Sequence, residues 1–594
     1  MLTPNSRELL LDSLRPDRGF TLDAAVGTSY SLDLDALLTA PLAFAQFDID
    51  AGTVDVDPIA LLATIKSYAD KMVLFTDASH IAVPPKERQL MPLLESTVVP
   101  VHIPDGSFHP KVWVLRYKRG RERRHRVLVL SRNLTFDRSW DTILRLDENL
   151  EGDTPGNASE LSAFLEYLTG HSESPIPRDL IRSLAGKSFD VPDGFDTLRF
   201  WPMLADGVDP MAGVEAEASL VISPFVAPGR LKTLAKLAPK RALVTRPDTL
   251  SELGGTALEP WQQVFILRGE AAESDDDDLV TLSGLHAKVH VFDDGTRRRV
   301  FTGSANASTA SIQDNIELLV ELETQSAQSR IVKLLEHSER EPTLRSLLVE
   351  RRPAAAEPST KTAEELEADR LEALARTLAA QPATARSVRG NDDRWTVDFV
   401  LPMDGVELAA GDRLRARLVT SAGGWLPLAA DAARATGELH AGEMSRLTRL
   451  IALELAGNPG LKVPARTFVI VAELLGAPAG REQQLLLDLI PNAEKLMRLL
   501  FMMLADGHEG PEAAAAVRRM LAGEAGDGDT GWQLELPLFE NLVRTFSREP
   551  ERLGGIRGVI EQLRSTDDGV ERFPDGFLEL WSTFEAALPK RRSR

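Results

Sequence analysis

The run from His286 to Asn306, HAKVHVFDDGTRRRVFTGSAN, decides how the chain is read. Side-chain character alternates from His286 to Phe292, as a strand requires. Asp293-Asp294-Gly295 is a turn signal, and Arg299-Val300-Phe301 returns as a second strand. In such a hairpin the start of one strand and the end of its partner lie together, so His286, Lys288 and Asn306 converge. At ~3.3 Å per residue the turn sits roughly 20 Å away. Three phosphate-binding residue types therefore collect at one end.

The chain carries this phrase twice. His109-Pro110-Lys111 opens an earlier apolar run, Arg119–Arg124 supplies the turn, and Ser131-Arg132-Asn133 closes the returning strand. The offset between copies is nearly constant from the histidines to the asparagines, which is a tandem repeat with a longer hairpin in the first copy. An acidic residue follows each asparagine and leads an apolar run: Asp141 before Ile143-Leu144, and Glu317 before Leu318-Leu319-Val320. A buried-type strand precedes each half, Met72-Val73-Leu74-Phe75 and Ala242-Leu243-Val244. The agreement spans whole supersecondary units.

Two such halves suit phosphodiester transfer. A neutral imidazole can attack phosphorus, with the second histidine protonating the leaving oxygen. Lys111, Lys288, Asn133 and Asn306 are expected to stabilise charge on the phosphoryl oxygens, a task otherwise given to a metal. Asp141 and Glu317 are placed to accept a proton from a histidine ring nitrogen and so fix its tautomer. Whether each serves its own half or the other stays open at this stage. Ser131 and Ser304 are read as substrate contacts.

His286-x-Lys288-x4-Asp293 followed by Gly303-Ser304-x-Asn306 resembles the HKD motif of the phospholipase D superfamily, and the resemblance runs to about Arg345. It implies two α/β lobes related by a pseudo-twofold axis with the site between them, a phosphohistidine intermediate, and neither metal nor cofactor. It also implies His109 as nucleophile and His286 as general acid. The first copy departs from the motif twice: Arg116 replaces the aspartate, and Leu130 replaces the glycine before Ser131. Position 116 lies toward the turn, so the aspartate there, and Asp293 in the second copy, are read as structural.

Composition bounds the rest. The 594 residues suffice for about three domains, and the absence of cysteine removes disulfides and Cys-ligated metals. No secretion signal opens the chain, and no apolar run reaches the ~18 residues of a membrane span, so a cytoplasmic protein without membrane attachment is expected. A net charge of −21 argues against a generally sticky nucleic-acid binder, but not against a nuclease with a local positive groove. The basic cluster Lys118–Arg126 is read as a solvated hairpin tip. Glu273–Asp278 is read as a loop, because adjacent aspartates repel and cannot all face one ion.

The expected order is a first lobe over residues 1–175, a second over 176–350, a linker and helix over 351–390, a β-rich accessory domain over 391–480 and a helical C-terminal domain over 481–594. Strand character recurs at Trp395, Arg413 and Thr467. Trp532, Phe539, Trp581 and Phe584 fall at helical spacing and are assigned to core. Removing everything past about 355 is expected to change substrate choice or partner binding more than chemistry.

The leading reading is a metal-independent nuclease acting on nucleic acid, DNA ahead of RNA, and by analogy a component of bacterial phage defence or restriction. A protein partner is assigned to the C-terminal module, and a dimer is compatible but not required. The alternatives are a phospholipase or phosphatidyltransferase, disfavoured by the lack of any route to a lipid interface and the aromatic content of 6%, and a non-catalytic nucleic-acid-binding scaffold.

Overall fold

The strands Thr21–Ser29 and Met72–Asp77 are buried over most of their length, the pattern of strands covered on both faces, and Val98–Val101 lies beside them. They pair in parallel and are continued by the antiparallel strands Val112–Arg119, Glu122–Leu130 and Ile143–Asp147. The second half repeats this order. Ala218–Ile222, Lys240–Val244 and Gln263–Leu267 run parallel, and Val289–Asp293, Arg298–Gly303 and Ile316–Thr324 continue antiparallel. Edge strands Leu348–Glu350 and Thr197–Leu204 extend the second sheet to 8 strands against 6 in the first. The chain is thus a mixed α/β protein with tandem lobes, a β-rich segment and helices toward its C-terminus. The structure, a computed structural model, describes residues 9–45, 58–136, 139–151, 158–271, 284–338, 343–351, 361–392, 394–421, 423–504, 542–543, 545–547, 553–574 and 576–587. Glu273–Asp278, Trp532 and Phe539 lie outside them.

Alternation along each strand sorts side chains into layers. Val73 and Phe75 of the first sheet, and Leu220, Ile222 and Val244 of the second, enter one shared core with helices Ala158–Thr169 and Ile176–Leu184. Leu74, Trp113 and Leu128 face the opposite way, into a core built with helices Leu34–Phe44 and Pro58–Tyr68. The outer face of the second sheet, including Leu243 and Phe301, packs under helices Pro228–Leu234 and Pro247–Leu258.

Three boundaries differ from the sequence reading. Helix Ile176–Leu184 belongs with the first lobe: it packs on Ala158–Thr169, and Asp179 O accepts from Arg116. Helix Ala363–Ala379, opened by a Thr362–Glu365 capping box, is not a linker element. Its Leu371, Leu374, Ala375 and Leu378 enter the core of a two-sheet β module that begins at strand Thr384–Arg389 rather than at 391. The sheets of this module also contain Leu450–Ala456 and Arg434–Gly442, the latter concealed in the sequence by its mixed polarity. Finally, helices Arg481–Leu489, Ala493–Leu504, Leu553–Arg564 and Phe577–Ala587 form no separate domain. Leu499, Phe501, Ile560 and Trp581 share the outer core of the first lobe, with Phe584 packed against it.

Polar contacts fix the β module to the first lobe as well. Buried Glu95 accepts from Thr448 Oγ1 at 2.8 Å, Arg449 N at 3.1 Å and Arg481 at 2.5 Å. The shared core implies that removing everything past about 355, expected to change substrate choice or partner binding more than chemistry, also strips part of the first lobe's core. Trp581→Ala is expected to cost about 3–5 kcal/mol and to lower the stability of the first lobe in the same denaturant transition. A chain ended before Arg481 that still folds with an unchanged first-lobe transition would contradict this.

Candidate active site between the lobes

The lobes meet through two short backbone bridges related by the repeat. His109 N–H donates to Ile316 O at 2.9 Å, and Ile316 N–H returns to Ser107 O at 3.0 Å. In the other direction His286 N–H donates to Trp140 O at 3.0 Å, and Trp140 N–H to Gly284 O at 2.9 Å. Gly106 allows the first approach, since a Cβ there would stand 1.9 Å from the Asp314 carbonyl oxygen. Ile316 is followed by Glu317 and Trp140 by Asp141, so each bridge delivers a carboxylate to the histidine of the other lobe.

The carboxylates therefore cross over, which answers the question the sequence left open. Glu317 Oε2 lies 2.9 Å from His109 Nδ1, and Asp141 Oδ1 lies 3.5 Å from His286 Nδ1. Aspartate is one methylene shorter than glutamate, and its contact is correspondingly looser. Burial drives the His109 pKa down to about 4; Glu317 opposes that shift and Lys111 adds to it. Burial would raise Glu317, but His109, Lys111 and Ser304 outweigh it and its pKa is lowered. At neutral pH the pair is an ionised carboxylate and a neutral ring whose Nδ1 carries the proton, leaving Nε2 with its lone pair. Burial also lowers His286, against the opposing pull of Asp141.

The other predicted residues gather around these pairs, with two corrections. Buried Lys111 and Lys288 hold their ammonium groups at 3.0 and 2.7 Å from the carbonyl oxygens of His109 and His286. Burial lowers the Lys111 pKa well below its usual value, and the Lys288 charge lowers it further. The amide oxygens of Asn133 and Asn306 are buried without a hydrogen-bond partner. An amide rotation would turn the N–H2 group to the same place. Each asparagine is backed by a serine: Ser29 Oγ accepts from Leu134 N at 2.8 Å and Ser223 Oγ from Ala307 N at 3.0 Å. Ser131 and Ser304, read as substrate contacts, are fully buried and turned the other way. Ser131 Oγ donates to Asp141 at 3.2 Å and Ser304 Oγ to Glu317, so they hold the carboxylates.

Asp293 stands at the hairpin turn, accepting from Gly295 N at 2.9 Å and Ile331 N at 3.4 Å, away from His286. Arg116 pairs with Asp23 at 2.6 Å on the corresponding strand. The glycine that the first copy lacks serves the second sheet rather than the ligand. Gly303 has φ of 145°, and a Cβ would stand 2.3 Å from Leu318 O. At the basic hairpin tip Arg119 and Arg124 share one carboxylate, each pairing with Glu122 at 2.7 Å. Arg126 is not solvated, being buried between Asp17 and Asp147.

Sequence reasoning missed a second cluster beside His109. The Tyr30 ring lies 4.8 Å from the His109 ring, and Lys111 Nζ lies 5.5 Å from the Tyr30 centroid. Tyr30 Oη is 2.6 Å from His80 Nε2, and His80 Nδ1 is 2.9 Å from Asp77 Oδ1. Helix Ala363–Ala379 adds Glu372, 3.3 Å from His80 Nε2, and Arg376, which donates to Ser107 Oγ. Asp77-x-x-His80 at the C-terminal end of a parallel strand was a usable signal, since ligands collect there. Glu372 and Arg376, four apart on a charged helix, carried none.

No known family profile and no curated protein matches the chain. Among solved structures it is similar to the polyphosphate kinase from Porphyromonas gingivalis, at 13% identity and a TM-score of 0.31 over 59% of this chain and 48% of that one. The match thus spans about half of the kinase. It is also similar to the phosphatidylserine synthase of Haemophilus influenzae Rd KW20, at 11% identity and a TM-score of 0.31 over 57% of this chain and 84% of that one.

The electrostatics of the site can be measured directly. His109 is expected to stay neutral as pH falls and to take up its second proton only near pH 4, in a titration followed by NMR with His109→Gln as the assignment control. A midpoint at the ordinary histidine value of about 6.5 would show that the ring is not held in this environment.

Proposed function

We propose that the chain is a phosphodiesterase that cleaves nucleic acid, with DNA preferred, through a phosphohistidine intermediate. The observation that carries this reading is the pair of crossed histidine–carboxylate contacts flanking two buried lysines. His109 Nε2 attacks phosphorus, a P–N bond forms, the P–O bond to the leaving group breaks, and His286 gives its proton to that oxygen. His286 then takes a proton from water, which attacks phosphorus and releases His109. Lys111, Lys288 and the two asparagine amides face the charge that grows on the phosphoryl oxygens. The tight Glu317 contact suits the histidine that must present one lone pair. The looser Asp141 contact suits the one that gains and loses a proton. Phage defence or restriction is the setting in which we place this activity.

Two solvent-facing aromatic rings support nucleic acid as the diester. Phe136, three residues past Asn133, is 51% exposed, and Phe225 is 49% exposed. The neighbour of Phe225, Val226, forms a backbone bridge to Ala307, next to Asn306. Arg246 stands over the Phe225 ring at 5.7 Å. Exposed rings with a guanidinium beside a phosphate site are the components of single-strand recognition, where bases stack and the backbone meets positive charge.

The test is cleavage of plasmid, single-stranded DNA, RNA and phosphatidylcholine vesicles in EDTA, wild type beside His109→Ala and His286→Ala. Nucleic-acid cleavage that survives EDTA and is lost in both variants is the expected result. Cleavage confined to the lipid, or retained in either variant, would refute the reading. For the aromatic rings, Phe136→Ala and Phe225→Ala should each weaken oligonucleotide binding about tenfold, from ~1–3 kcal/mol per stacked base. Hydrolysis of bis(p-nitrophenyl) phosphate, which has no bases to stack beyond the diester, should be unchanged.

A further inference from the structure

We propose that Tyr30 and His80 are positioning residues for His109, and that the C-terminal module holds them in place through Glu372 and Arg376. The inference rests on the reading of His109 as nucleophile and extends it to residues outside both repeated phrases.

The contacts reach His109 from two sides. Tyr30 forms a wall against its ring, at 4.8 Å between centroids, and is itself packed on His80 at 4.1 Å. Asp77 uses one oxygen for His80 and the other to accept from Phe108 N at 3.1 Å, the residue before His109. A shift of His80 is thus felt both by the ring wall and by the backbone that carries the nucleophile. The groups facing His80 come from every element around it. Asp77 and Ser79 belong to its own turn, and Tyr30 to the end of strand Thr21–Ser29. Glu372 belongs to helix Ala363–Ala379, and Arg466, which pairs with Glu372 at 2.7 Å and donates to Ser79 O at 3.0 Å, to strand Arg466–Val471. Arg376 also reaches Tyr30.

The repeat supplies an internal control. Ser29 and Ser223 hold equivalent places behind the two asparagines, so Tyr30 corresponds to Pro224, and the strand register makes Asp77 correspond to Arg246. The second lobe therefore has neither the ring nor the acid at these positions. The elaboration exists only on the side of His109, where the tighter carboxylate contact also lies.

Protonation decides how the cluster is bonded. Charged His80 donates from Nδ1 to Asp77 and from Nε2 toward Tyr30 Oη and Glu372. Neutral His80 keeps one proton, so its Nε2 lone pair must accept from Tyr30 and faces the Glu372 carboxylate. Burial alone would lower the His80 pKa, but Asp77 and Glu372 outweigh it and the value is raised. Removing the Glu372 charge makes His80 lose its proton at lower pH.

The experiment uses the full chain with Tyr30→Phe and Glu372→Gln, the latter on a half-exposed side chain that no core depends on. Misplacing a catalytic group by 1 Å can cost a hundredfold, so each variant should lower kcat on bis(p-nitrophenyl) phosphate about tenfold with KM little changed. Glu372→Gln should also make the His80 ring lose its proton at lower pH. In parallel, carbon-labelled histidines report both rings by NMR, and Glu372→Gln should shift the titrations of His80 and His109 together. Wild-type kcat in both variants would overturn the proposal, as would a lower kcat with unmoved His80 and His109 titrations. If the wild type hydrolyses no diester, the proposed function fails alone and the titrations decide: joint movement sustains the coupling, and movement of His80 without His109 overturns it.

Discussion

A carboxylate taken wholly out of water is tolerated only where donors surround it. Glu317, with no exposed surface, is that group here. Its donors are His109 Nδ1–H from the first lobe, and Ser304 Oγ–H and Asn315 Nδ2–H from the second. Because the histidine belongs to the other lobe, the charge is fully satisfied only when the lobes are closed on each other. The contact that sets the tautomer of His109 is therefore also a contact that defines the interface. The Ile316–His109 bridge brings the two within reach, and the Trp140–His286 bridge repeats the device on the other side of the pseudo-twofold axis.

The two sides are not equal, and the difference of a methylene group accounts for much of it. Glutamate at 317 spans to 2.9 Å and accepts further hydrogen bonds from Ser304 and Asn315; aspartate at 141 stops at 3.5 Å from its histidine. A ring held at 2.9 Å by a fully ionised partner has one tautomer. A ring at 3.5 Å can relax toward a ligand when one arrives. A duplicated site needs some such break in symmetry if its halves are to do different work, and Tyr30 with Asp77 on one side and Pro224 with Arg246 on the other deepens it.

What the sequence revealed and what it concealed divide along a physical line. Strand alternation and turn chemistry act within a few residues, so the hairpin Val289–Asp293 with Arg298–Gly303 and the convergence of His286, Lys288 and Asn306 could be read directly. The repeat then extended that reading to Val112–Arg119 with Glu122–Leu130. The crossing of Asp141 and Glu317 could not be read, because it depends on bridges between segments 208 positions apart for His109 and Glu317. Ser131 and Ser304 were misassigned for a related reason: a hydroxyl in the same turn as the repeated asparagine looks like a ligand contact until the partner strand shows what lies behind it. The C-terminal helices read as independent because amphipathic periodicity reveals that a face is buried and not against what. Only the packing of Phe501 and Trp581 on the first lobe answers that.

In a chain of net charge −21, the surroundings of the positive groups set the site apart. At the hairpin tip Arg119, Arg124 and Arg126 all face carboxylates, and on the β module Arg370, Arg415 and Arg466 do the same. Such pairs contribute little to binding an anion, since the charge is already neutralised. Lys111 is different: it is buried, makes no ion pair among the described residues, and rests its ammonium on a neutral carbonyl. Burial next to Lys288 keeps it short of its usual proton affinity, a cost that an arriving phosphate removes. Two buried lysines held this close are costly in the bare protein and favourable beside an anion. That difference is binding energy directed at one place, and it depends on local geometry rather than on the charge of the whole chain.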